Sequence, residues 1–207
     1  MVDFFLEAYK NASLTQIVLE FIVFIFGILS VVFAKKENIL VFPTGLIATV
    51  ISVYLLYVAG YLGDMMINGY FSIMSIYGWY RWSKKENDTI ELPITRTNNM
   101  EKVIGILFFL ITIVVVFGIY KYFEYEINIE NYFDIIASGI FFTGMWFMAN
   151  KKIENWTLWI IGDIIVTPLY AYRGLGILSL QYLIFTILAI SAYLEWRKIL
   201  NKNNLQS

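Results

Sequence analysis

Runs of about twenty apolar residues, broken by short polar or glycine-containing stretches, follow one another along almost the whole chain. An α-helix rises about 1.5 Å per residue, so about 20 such residues are needed to cross roughly 30 Å of hydrocarbon. Seven segments meet that requirement, at about 15–33, 39–59, 62–82, 102–123, 132–150, 155–173 and 177–198. The pattern predicts an all-α integral membrane protein with seven transmembrane helices. The longest polar stretch, SKKENDTIELPITRTNNMEK (83–102), separates the third span from the fourth and predicts a solvent loop within one transmembrane domain covering residues 1–207.

The basic residues then set an orientation, because Lys and Arg are retained on the cytoplasmic side of a membrane. With seven spans one side receives Lys35, Lys36, Arg81, Lys84, Lys85, Arg96, Lys102, Lys151, Lys152, Arg197, Lys198 and Lys202, and the other only Lys10, Lys121 and Arg173. This places the N-terminus outside and the C-terminus in the cytoplasm, with the acidic EYEINIENYFD (124–134) outside. Six or eight spans would scatter the basic residues over both sides.

Composition narrows the chemistry. The 207 residues are 59% hydrophobic and 18% aromatic, with a mean hydropathy of +0.69, more apolar surface than a soluble domain of this size can bury. A net charge of −1, and no basic patch interleaved with stacking aromatics, argue against a nucleic-acid partner. The absence of Cys and His removes disulfides, thiolate nucleophiles, Ser–His triads, zinc ligation through S or N, and haem attachment. No metal or cofactor is implied, and any chemistry rests on carboxylates, amides, hydroxyls and rings. The start, MVDFFLEAYKN, carries Asp3 and Glu7, lacks a basic n-region and has no A-x-A-type site, so a cleaved signal peptide is not expected.

Two parts of the chain resemble each other. KKEN (35–38) heads the second span and KIEN (152–155) the sixth, which aligns Gly45 with Gly162, while FSIMSIYGWYRW (71–82) aligns with FTILAISAYLEW (185–196). Three-helix repeats at about 15–82 and 132–198, around a linker helix at about 102–123, make a 3+1+3 plan. The odd linker gives both triplets the same direction across the membrane. Such parallel, SWEET-like repeats hold a substrate near the midplane between halves that rock against each other.

Polar groups inside the spans mark candidate functional positions, because a charge at the bilayer centre costs about 2.5 to 3.5 kcal/mol on insertion scales and so faces a bundle interior or a wet cavity. Asp163 is the deepest of these. At 100° per residue, Trp156, Trp159, Asp163, Thr167 and Tyr170 share one face of the sixth span. Several readings stay open: Trp156 is an interfacial belt residue or lines a cavity, and Asp163 is a cavity carboxylate, a cap for a break before Pro168, a protonated group bonded to a neighbouring helix, or a proton relay. In the third span Asn68, Ser72, Ser75, Trp79 and Trp82 form a similar stripe, in which the small hydroxyl residues equally suit close helix packing. Gln181 takes the equivalent part in the seventh span, and Trp146 and Asn150 line up with Gly139 and Thr143 on the fifth. Several rings, a few amides and one negative charge suit a flat, aromatic, cationic or hydrogen-bond-rich solute. An intramembrane enzyme using Asp163 would need a second ionisable group at its depth, and none stands there. An enzyme is therefore not expected; an assembly or sensor subunit, which would bind no solute, is the other competing class.

At these positions the sequence resembles the PnuC family of vitamin-precursor transporters. The resemblance lies in IYGWYRW (76–82), ENWTLWIIGDI (154–164) with its W-x-x-W, FPTGLI (42–47) and SLQYLIFTILAI (179–190). It implies facilitated uptake of nicotinamide riboside across a bacterial inner membrane by a homotrimer of seven-span protomers, with cytoplasmic phosphorylation trapping the product. It implies further that Trp156 and Trp159 border the substrate and its inner gate. Asp163 stands where the family usually has asparagine, Asn68 where glutamine is common and Ser75 where asparagine is common. The substrate-binding set is completed by Tyr77, Trp79 and Gln181. These departures leave thiamine or another cationic aromatic vitamin precursor as the alternative cargo.

Overall fold

The computed structural model describes residues 13–58, 62–84, 92–122 and 127–204. Seven helices carry the described chain: α1 Leu14–Lys35, α2 Val41–Val58, α3 Leu62–Ser83, α4 Asn99–Tyr122, α5 Ile129–Ala149, α6 Glu154–Tyr172 and α7 Gly176–Asn204. Local chemistry fixes their starts. The Ser13 hydroxyl caps α1 by accepting from Gln16 N–H at 3.2 Å, and Asn98 and Glu101 exchange backbone-to-side-chain bonds of 2.8 Å that begin α4 three residues before the apolar run.

Five of these helices, α1, α2, α4, α5 and α7, are long and apolar enough to cross a membrane. The other two, α3 and α6, carry the polar stripes and fall short of that hydropathy. Among the five, α5 is the most enclosed: 67% of its apolar window is buried, against 17% or less in the others. It packs between α4 and α6 and also meets α3, while α1 meets α7.

One end of the bundle gathers the α1–α2 turn, the end of α3, the α5–α6 turn and the last turns of α7. There the segment 92–98, expected as part of a solvent loop, is instead docked on the α5–α6 turn. Thr95 N–H donates to the Lys151 carbonyl at 3.1 Å, Ile153 N–H donates back to the Thr95 carbonyl at 3.0 Å, and Thr97 N–H donates to a Glu154 carboxylate oxygen at 3.0 Å. Ile94 is buried beneath it. The sequence hides this because a short bridge of this kind has no periodicity of its own. At the opposite end Arg173, just after α6, pairs with Asp134 at 2.6 Å and Glu130 at 3.8 Å on the first turns of α5.

The turn after α5 copies the turn after α1. Glu37 N–H bonds Ala34 O and Asn38 N–H bonds Phe33 O, just as Lys151 N–H bonds Met148 O and Lys152 N–H bonds Phe147 O. Glu37 and Lys151 both take positive φ, 53° and 50°, the left-handed conformation that closes a helix. Further along, Phe42 meets Trp82 edge-on with centroids 5.0 Å apart, and Trp156 meets Trp196 edge-on at 5.5 Å. These correspondences share an offset of 114 residues (37 to 151, 42 to 156, 82 to 196). The KKEN–KIEN pairing, and with it Gly45 on Gly162, is out of this register by three residues: the α5–α6 turn matches at Glu37 and Lys151, not at the repeated letters.

The Phe42–Trp82 contact requires the absence of a side chain at Gly78, since a Cβ there would overlap the Phe42 ring, whereas a Cβ at Gly69 in the same helix meets nothing within 4 Å. Gly78→Ala is expected to cost about 1–3 kcal/mol through overpacking. Gly69→Ala should cost nothing, and thermal unfolding of the two variants in detergent checks the contrast.

Candidate functional site

Helix α6 is built to turn one face inward. Trp156, Asp163, Val166 and Leu169 are buried, with Trp159, Thr167 and Tyr170 partly so, while Thr157, Ile161, Ile164 and Pro168 are exposed. Asp163 is the middle residue of this 19-residue helix and is 2% exposed. No hydrogen bond or ion pair to its carboxylate falls among the described residues. The Thr167 hydroxyl donates to the Asp163 carbonyl at 2.7 Å, and Ser179 donates to the Thr167 carbonyl at 2.8 Å, so the turn before Pro168 is held by side-chain hydroxyls and not by the carboxylate.

Rings from three helices line this face. Trp159 stacks on Phe141 of α5 at 5.3 Å and meets Phe71 of α3 at 6.1 Å. Phe141 reaches Tyr182 of α7 at 6.2 Å, and Tyr182 stacks on Tyr170 at 5.2 Å. The chain of rings therefore runs from one turn before Asp163 to two turns after it. Gly162 makes the approach possible, because a Cβ there would overlap Phe141. Behind it Tyr70 stacks face to face on Phe142 at 3.9 Å and donates its hydroxyl hydrogen to the Phe142 carbonyl at 3.1 Å. Phe71, Phe141 and Tyr182 were not singled out in the sequence. One signal for Tyr182 was available, its place beside Gln181 and three residues before Phe185, with which it makes an edge contact at 5.9 Å.

The indole N–H groups of Trp156 and Trp159 are both buried without a hydrogen-bond partner among the described residues. An unpaired buried donor costs about 1–3 kcal/mol, and α6 carries two donors and one carboxylate without a hydrogen-bond partner among the described residues.

The remaining expected residues separate into three groups. Ser75 is buried beside Ser30 and Gly45, and the Ser72 and Thr49 hydroxyls are hydrogen-bonded at 2.8 Å, so both serve the packing of α1, α2 and α3. Asn68 is partly buried one turn before Ser72 and accepts its hydroxyl on the backbone carbonyl at 3.0 Å, while Gln181 faces α1 near Gly27. Trp79 and Tyr77, 41% and 39% exposed, lie on the outer surface of α3 and are not brought to the α6 face; Trp82 is the ring of that motif that turns inward. On α5 the stripe of Gly139, Thr143 and Trp146 meets α4: Phe109 fills the space over Gly139, Thr143 donates to Gly105 O at 3.3 Å, and Trp146 stacks on Phe108 at 5.5 Å.

An all-helical bundle with at least five apolar spans, enclosing a polar, ring-lined face at the middle of an inner helix, defines a multi-pass membrane transporter. The profile of the family described as nicotinamide mononucleotide transporter matches residues 17–198, and the chain belongs to that family. It is similar to the nicotinamide riboside transporter PnuC of Escherichia coli (strain K12), with 24% identity covering 82% of this chain and 81% of the relative, and equally to that of Shigella flexneri. A solved structure, the crystal structure of the vitamin B3 transporter PnuC, superposes with a TM-score of 0.71 and 20% identity, covering 89% of this chain and 82% of that one. At that identity the likeness establishes a shared fold.

Trp156, 2% exposed and wedged on Trp196, should be a folding residue first. Trp156→Ala is expected to cost about 3–5 kcal/mol of stability. Trp159→Ala, at a partly exposed ring, should cost distinctly less, as thermal unfolding of both variants would register.

Proposed function

We propose that this protein is a facilitator for nicotinamide riboside, carrying it into a bacterial cell across the inner membrane. The observation that carries this reading is the α6 face: a buried carboxylate at mid-helix on the same face as a chain of aromatic rings, with the Trp159 indole one turn away as a donor without a partner among the described residues. Nicotinamide riboside has a flat cationic ring for stacking and charge pairing, and ribose hydroxyls that can accept from the Trp159 indole. The mononucleotide in the family's description adds a phosphate. Among the described residues no Lys or Arg is paired with Asp163, so a phosphate placed beside that carboxylate would meet like charge, which favours the riboside.

In this reading the helices form a 3+1+3 arrangement, α1–α3 and α5–α7 being parallel units joined by α4, all seven crossing the bilayer as one domain. Matching caps, matching Phe42–Trp82 and Trp156–Trp196 contacts, and the reciprocal packing of α1 on α7 and α3 on α5 support it. The α1–α2 and α5–α6 turns, with their lysines, belong to the cytoplasmic end and Arg173 to the outer end, in keeping with twelve basic residues against three. The homotrimer implied by the family resemblance belongs to the same proposal; the exposed aromatic face of α3 is open to lipid or to a neighbouring protomer. Phosphorylation of the imported riboside in the cytoplasm would keep net flux inward without an ion gradient.

Proteoliposomes containing only this protein should take up labelled nicotinamide riboside saturably and stop at the external concentration, with no dependence on a proton or sodium gradient. The mononucleotide should not compete. Gradient-driven accumulation would overturn the facilitator, and uptake of thiamine in place of the riboside would overturn the cargo.

Asp163→Asn is expected to raise the KM for nicotinamide riboside about ten-fold or more, as a charge-assisted contact becomes a neutral one. Thermal stability should not fall, because no protein partner is orphaned. An unchanged KM would reduce Asp163 to a hydrogen-bond acceptor.

A further inference from the structure

The cytoplasmic end of the bundle holds an ion pair that the transport site does not use. Lys151 Nζ lies 3.1 Å from a Glu37 carboxylate oxygen and 4.5 Å from the centre of the Trp82 ring, and Lys151 is 4% exposed. Lys151 belongs to α5–α7, and both of its partners to α1–α3. Among the described residues it is the one ion pair that joins these two units.

We propose that Lys151, seated against Glu37 and Trp82, is the latch that holds the two three-helix units together at the cytoplasmic end, and that its release is the step that opens the carrier inward. The inference rests on the reading of two units that part during transport, and four observations support it.

First, Glu37 and Lys151 occupy the same position in the two matching caps, both in the left-handed conformation that glycine or asparagine adopts at least cost. A purely structural cap has no use for long charged side chains at both places. Second, a pair whose ammonium is buried and whose carboxylate is still a quarter exposed is weak as a source of stability, since desolvating the Lys151 charge offsets much of the attraction, whereas it is well suited to fix one arrangement of two packed bodies against another.

Third, the two ends of the pair are mounted differently. The Lys151 carbonyl is clamped by Thr95, and Lys152 alongside is held by Glu101 at 2.7 Å and by the Thr95 hydroxyl at 2.9 Å, so segment 92–98 makes this turn a fixed support. Among the described residues the Glu37 carboxylate has no hydrogen bond or ion pair other than that with Lys151. Fourth, the neighbouring cross-unit contacts lie at the same end. Trp196 Nε1–H donates to the Ala34 carbonyl at 3.0 Å, Lys35 donates to the Ser191 hydroxyl at 2.6 Å, and Trp82 and Trp196 stand 6.3 Å apart. At the outer end, Arg173 pairs with Asp134 and Glu130 inside its own unit. Among the described residues closure by charge is thus on the cytoplasmic side, and removing it biases the carrier toward the inward-open state.

The chain contains no cysteine, so a single Ala34→Cys substitution places one thiol in the buried seam beside Trp196. Labelling by an impermeant maleimide from the cytoplasmic face of inside-out vesicles should be slow in this parent. Adding Lys151→Gln or Glu37→Gln should speed it about ten-fold, and the exchanged pair, Glu37→Lys with Lys151→Glu, should slow it again. Glu37 is already 26% exposed, so Glu37→Gln keeps the test available if Lys151→Gln fails to fold. Labelling left unchanged by a single variant that still transports would overturn the latch, as would an exchanged pair that labels as fast as the single variants. If the parent takes up no nicotinamide riboside yet the labelling rates respond as expected, the cargo assignment fails and the latch stands.

Discussion

A carboxylate at the middle of a helix in a membrane-embedded bundle can persist only where the rest of the protein shields it from lipid, and that constraint on Asp163 organises this bundle. Helix α6 cannot lie at the periphery with its polar face outward. It is covered instead by α5 and α7, with α3 reaching Trp159 through Phe71. The covering surface is made of rings because aromatic faces can lie against a polar group and still pack densely against one another. Gly162 and Gly78 are the complementary concessions, each giving up a side chain so that Phe141 or Phe42 can approach.

The segments 33–82 and 147–196 share turn hydrogen bonds and ring contacts at one offset but carry different side chains. In α1–α3 the positions near the middle are small: Ser30, Gly45 and Ser75 meet closely, and Ser72 bonds Thr49. In α5–α7 the corresponding region carries the rings and the carboxylate. The inner ends differ in the same spirit. Trp196 spends its indole hydrogen on the Ala34 carbonyl, whereas the matching indole of Trp82 has no partner among the described residues and its ring faces the Lys151 ammonium. The two matching ring contacts, Phe42 with Trp82 and Trp156 with Trp196, thus sit in unlike polar surroundings.

Much of this was legible in the residues themselves. The seven apolar runs gave helices whose ends fall within three residues of expectation, except that α7 runs six residues further, to Asn204, and the 100° spacing of Trp156, Trp159, Asp163, Thr167 and Tyr170 marked the inward face of α6. The stripe on α3 was only half informative. A helical arc wide enough to include both Trp79 and Trp82 cannot say which ring turns inward, and the structure exposes Trp79 while burying Trp82 against Phe42. Phe71, Phe141 and Tyr182 were invisible as site residues because an aromatic among many apolar neighbours carries no local mark. KKEN and KIEN misled for a different reason: identical letters fell on turns whose hydrogen bonds match three residues away.

By itself the sequence determined the helices, the distribution of basic charge between the two ends and the polar face of α6, since each of these follows from short-range periodicity and from the cost of placing polar groups in hydrocarbon. Only the tertiary structure decided which rings gather on that face, that residues 92–98 brace the α5–α6 turn, and that Lys151 reaches Glu37 across 114 positions of sequence. Those contacts depend on how whole helices rotate and dock. That is a property of complementary shapes far apart in the chain, and no local pattern encodes it.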